Sequence, residues 1–146
     1  YTHWQRQFLH PALQIFDAPA REECTAERAR SNTPLAALLL LNDPSYIEAA
    51  RRFAENSLTA ELETDARVQW IVRQALSREA TAEESKILLG LLKEEKQRFA
   101  TEPEAAKQLL QIGLSTPNAE LDAVELAAWT SVTRAVLNLH ETITRN

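Results

Sequence analysis

Helix-starting signals recur along this chain, and no convincing strand pattern accompanies them. Each signal sets a residue able to cap a first helical turn ahead of an apolar stripe of helical period. Thr33 precedes Pro34, and proline suits the first helical position because its missing N–H would have no partner there. Asn42, Asp43 and Pro44 close that segment and open the next, where Ile47, Ala50, Ala54 and Leu58 form a stripe beside Tyr46 and Phe53. Thr64 opens a helix whose Val68, Ile71, Val72, Ala75 and Leu76 fit the template of one buried face. Thr81 and Glu84 have the spacing of a capping box, followed by Leu88, Leu91, Leu92 and Phe99, with Lys93 to Lys96 outside. Thr101 to Glu104 repeats the capping pattern before Ala105, Ala106, Leu109 and Leu110, and Gly113 offers a C-cap. Ser115 to Ala119 reads as a loop.

Asp122 with Glu125 opens the last helix, expected to be the longest. One face carries Leu121, Val124, Ala128, Val132, Ala135, Val136, Leu139 and Ile143, and a second carries Leu126, Trp129 and Leu137. A helix with so few charges in its middle belongs at the centre of a bundle. The fold expected is all-α: an irregular single-domain bundle of about six or seven helices with a long central C-terminal helix. The spacings are irregular, which argues against a repeat array.

The first third is less regular. Tyr1 to Leu9 reads as the end of a helix, with Trp4 and Phe8 on one face and Pro11 as its stop. Ala12 to Phe16 has no clear period and is expected to be irregular. Asp17 can cap a short turn containing Pro19. The run Leu35 to Leu41 is apolar on every side, so burial on every side is expected. The chain starts without Met and inside an amphipathic pattern, so residues 1–146 are expected to be the C-terminal piece of a larger protein.

Charge narrows the partners. The net charge is −5, with six acidic and six basic residues through Arg52 and 15 acidic against 10 basic beyond it. An acidic surface disfavours nucleic acid and anionic membrane, which both need a basic footprint. The longest apolar run, Pro34 to Leu41, falls short of the roughly 20 residues a membrane span requires. One cysteine cannot form an internal disulfide, and His3, His10 and His140 are far apart in sequence, so no metal site is expected. The haem-attachment pattern CxxCH is absent.

Chemistry-bearing residues gather between Asp17 and Asn32. Asp17, Arg21, Glu22, Cys24, Thr25, Arg28, Arg30 and Asn32 read as a buried polar network that fixes a loop, with a ligand site on that loop as the alternative. Arg21 and Arg28 could lower the Cys24 thiol pKa, but no His lies near in sequence to serve as base. Cys24 reads instead as a small buried residue or one half of a disulfide to another region. Glu22 with Glu23, and Glu83 with Glu84, read as solvated charges at helix starts, because neighbours on a helix point in different directions. His140 is expected to be hydrogen-bonded and partly buried. No catalytic residue is assigned.

The pattern FDAP-x-RE-x-CT from Phe16 to Thr25, followed by NTPL-x-AL-x-LLND from Asn32 to Asp43, resembles the C-terminal part of the planctomycete PSD-type domain of unknown function. Glu125 to Thr130 (ELAAWT) and Leu137 to Glu141 (LNLHE) resemble its closing segments. Glu27, Ala36 and His140 depart from the pattern, which usually has Arg, Gln and Asp there. The resemblance implies an exported, periplasmic parent protein, with haem c in another region and no cofactor in this chain. It implies the parent's other domains as partners. The function expected is a non-catalytic binding or assembly module. The alternatives are an accessory part of a redox or polysaccharide-related enzyme whose chemistry lies elsewhere, and a free-standing helical adaptor.

Overall fold

In the computed structural model, the described residues are 9–18, 33–60 and 62–143. They form eight helices: α1 (Pro11–Ile15), α2 (Pro34–Asn42), α3 (Pro44–Thr59), α4 (Thr64–Leu76), α5 (Ala82–Thr101), α6 (Pro103–Leu110), α7 (Ala123–Leu137) and α8 (His140–Ile143). No strand occurs among the described residues, so the all-α class holds. The chain divides into two compact units, residues 1–39 and 40–146.

In the first unit, Pro11 opens a helix. The His10 ring accepts from the Ala12 N–H at 3.3 Å, and Pro11 occupies the first helical position. The segment read as irregular is therefore α1. It closes through the Ala18 N–H, which donates to Leu13 O at 2.9 Å around Asp17, whose φ is +54°. Asp tolerates that left-handed conformation better than most residues. The preceding segment, Tyr1 to Phe8, lies outside the described residues.

Thr33 caps α2 as expected, accepting from the Ala36 N–H at 3.2 Å. The burial expected for α2 does not follow. Ala36 is its one buried residue, while Leu35 is 57% and Leu38 55% exposed. Apolar composition on every face gives a short helix no polar side to turn outward, so composition alone could not say which face meets solvent.

The second unit holds a continuous core built around α7, which packs against α3, α4, α5, α6 and α8. Leu126, Ala127, Ala128, Trp129, Val132 and Val136 are buried along it, so the expected centrality holds. Asp122 caps α7 through the Glu125 N–H at 2.8 Å. The helix ends at Leu137, and Ile143 belongs to the separate α8. The longest helix is α5, at 20 residues. Its capping box is complete: Thr81 Oγ1 accepts from the Glu84 N–H at 3.2 Å, and Glu84 accepts from the Thr81 N–H at 2.8 Å.

Two local expectations fail for a common reason. Thr101 does not cap α6; its hydroxyl donates to Gln97 O at 3.0 Å as the last residue of α5. Pro103 starts α6 with no side-chain cap. Likewise α6 ends at Leu110, and Gly113, at φ +108°, sits beyond it in the following loop. In both places tertiary packing sets the boundary that local signals leave open. His140, expected to be partly buried, is exposed at the start of α8.

Candidate functional site: a buried arginine and the loop it holds

The face of α3 that is turned to the core contains two charges, Arg51 and Glu55. Ile47, Arg51, Ala54 and Leu58 share a face, and Arg51 is 0% exposed. A guanidinium taken out of water needs partners. Arg51 Nη1 donates to Glu55 Oε1 at 3.3 Å. Its Nη2 donates to Ser115 O at 2.6 Å and to Ser115 Oγ at 3.0 Å. Arg52 adds bonds from Nε to Ser115 Oγ at 3.2 Å and from Nη1 to Glu55 Oε2 at 2.7 Å.

The loop after α6 is therefore held by α3 at several points. Glu48 accepts from the Leu114 N–H at 2.7 Å and the Ser115 N–H at 3.0 Å, and the Ser115 hydroxyl donates to it as well. Glu55 accepts from the Asn118 N–H at 3.1 Å. Gly113 is needed where it stands: its φ is positive, and a Cβ would collide with the Glu48 side chain.

Ser115 beside a carboxylate resembles a nucleophile beside a base, and its chemistry rules otherwise. The Ser115 hydroxyl bond and the Leu114 N–H hold the Glu48 carboxyl down to about 2. A base that weak does not take a proton from a hydroxyl at neutral pH. The hydroxyl oxygen already accepts from both arginines while donating to Glu48. The cluster is charge-balanced and its groups are engaged with one another. It acts as a clamp. Beside the clamp, Leu110, Pro117, Leu121, Ala123 and Leu126 line a cavity of about 230 Å³ with Lys107 at its edge. Lys107 is paired with Glu104 at 2.7 Å.

Two smaller ties repeat this use of charge. Arg78 bridges Glu84 at 2.8 Å and Glu141 at 2.7 Å, joining the starts of α5 and α8. Glu125 accepts from Lys96 Nζ at 2.8 Å and from the indole N–H of buried Trp129 at 2.9 Å. On α7, Arg134 donates to Leu41 O, and burial pushes its guanidinium below the ordinary value. Among the described residues, Arg51 Nε, Arg134 Nε and Asn138 Oδ1 are buried without a hydrogen-bond partner.

Of the residues expected to form a site, the structure describes Asp17, which is partly buried and ends α1. Arg21, Glu22, Cys24, Thr25, Arg28, Arg30 and Asn32 lie outside the described residues. The α3 cluster was missed by sequence reasoning, although one signal marks it: Arg51 interrupts an apolar stripe at core spacing. Among the described residues, no group of His, Cys, Asp and Glu is arranged to hold a metal ion, and no helix is long and apolar enough to cross a membrane.

Comparison with known proteins places the chain in a family. No curated protein and no solved structure matches it. Residues 1–92 match the family PSD1, described as "Protein of unknown function (DUF1553)". The matched span contains the Phe16–Asp43 motif; the segments at 125–130 and 137–141 lie beyond it. Because the match covers more than half of the 146 residues, the chain belongs to the PSD1 family of proteins of unknown function (DUF1553).

Proposed function

We propose that this chain is a non-catalytic binding or assembly module that docks to other domains of a larger, exported polypeptide, as its likeness to planctomycete PSD-type proteins implies. One observation carries the reading: Leu35 and Leu38, three residues apart on α2, are each more than half exposed. Fully burying a leucine side chain is worth about 1.5–3 kcal/mol, so covering this pair would supply a useful part of a docking energy. The helix lies within the family-matched residues. The charged clusters of the second unit support the same reading from the other side, since each is occupied in holding helices and loops in place.

The test is a calorimetric titration of this chain with the remainder of its polypeptide, expressed separately. Saturable binding is expected, and Leu35→Glu/Leu38→Glu abolishes it with the helical circular dichroism unchanged. No binding, or binding that the double variant leaves intact, contradicts the proposal.

A further inference from the structure

Protein interiors are close-packed, and an apolar hollow tends to fill when its walls are free to move. The hollow beside the clamp stays open at about 230 Å³. Its floor is two core leucines, Leu110 on α6 and Leu126 on α7, 5% and 1% exposed. Its far wall is the loop between those helices, with Pro117 and Leu121. That wall is tied in place from α3. Glu48 holds the Leu114 and Ser115 amides, Arg51 holds Ser115 O, and Glu55 holds the Asn118 amide on the other side of Pro117. The clamp therefore fixes one side of an apolar cavity.

The rim differs from the floor. It carries Lys107, Gln111 and Asn118. Asn118 donates its backbone N–H to Glu55 and accepts the Glu120 N–H at Oδ1, which leaves its side-chain NH2 to donate. Lys107 Nζ is paired with Glu104 at 2.7 Å, and the two side chains are 58% and 77% exposed. An ion pair so open to water is weak, and Lys107 can exchange it for another carboxylate.

We infer that the hollow is a binding site for a small monocarboxylate with an apolar tail, the tail lying on Leu110 and Leu126 and the carboxylate at Lys107 and the Asn118 amide. Small-molecule sites combine an apolar lining with a few placed polar groups, and this hollow has both. A cation and a free NH2 favour a head group that only accepts, as an ionised carboxylate does. Size limits the tail: a cavity of about 150 Å³ holds benzene, so one of about 230 Å³ takes a chain of about six carbons.

The test is a two-dimensional amide NMR titration of the full chain with hexanoate and, separately, with hexanamide, which has the same tail and no charge. Hexanoate is expected to give saturable shifts centred on the amides of residues 107–126, at millimolar concentrations. Hexanamide is expected to bind severalfold more weakly. Lys107→Gln, an exposed change that leaves the fold intact, lowers hexanoate affinity severalfold and leaves hexanamide unchanged. Ala123→Phe, which fills the hollow, removes binding of both, and the spectrum itself shows whether that variant is folded. Absence of saturable shifts, shifts centred elsewhere, or equal binding of the two probes overturns the inference.

Discussion

Arg51 concentrates what single residues contribute here. It is fully buried, its partner Glu55 is nearly so, and both reach the backbone of a loop more than 60 positions away. Removing Arg51 leaves Ser115 O without its guanidinium donor and leaves Glu55 with Arg52 as its remaining cation. Arg51→Met is therefore expected to cost about 1–3 kcal/mol in urea denaturation, with the loop's amides losing hydrogen-exchange protection. A loss below about 1 kcal/mol would mean that the cluster is not a clamp. Half of this arrangement was legible in the sequence. Arg51 interrupts the Ile47–Leu58 stripe, which marks a charge forced to find partners in the core. The partners themselves, Ser115 O and Oγ, were not legible, because loop pairing depends on how α6 and α7 place the chain after folding. His140 shows the reverse error: a position beside apolar residues in a helical pattern reads as half-buried, but α7 ends before it.

Helices carry their own electrostatic ties. Hydrogen bonds from Arg78, then from the Thr81 N–H, hold the Glu84 carboxyl down to about 2, and Arg78 also lowers Glu141. Glu48 sits at about 2 for its own reasons on α3. Both carboxyls ordinarily titrate near 4.5, so below that value the unfolded chain takes up protons that the folded chain refuses. Their contribution is present in full above about 4.5 and is lost as pH falls through about 2. Both side chains are partly exposed, so solvent screening keeps each contribution modest. Denaturation midpoints measured across that window are expected to fall, and Glu84→Gln is expected to lower the midpoint above the window while flattening the decline within it. An unchanged slope in the variant would show that Glu84 does not carry it. Start signals at this scale read well: Thr33, Asp43, Thr81 and Asp122 all cap where the sequence placed them. The Ala12–Phe16 segment, read as irregular, is helical, and Thr101 ends one helix where it was read as beginning the next, because neighbouring packing decides such boundaries.

At the scale of the molecule, the sequence pattern identified α7 as the central helix, because an apolar helix with charges only near its ends needs neighbours on most sides. It could not assign α2. A helix apolar all round can be buried all round or open on one side, and the exposure of Leu35 and Leu38 shows that α2 is open. The central proposal is that α2 is an interaction surface. Hydrogen exchange of the α2 amides tests it most directly, comparing this chain alone with the polypeptide encoded by the whole reading frame. The account predicts slower exchange across Leu35 to Leu41 in the longer polypeptide, and no such slowing when both carry Leu35→Glu/Leu38→Glu. Equal exchange in the two polypeptides would contradict it.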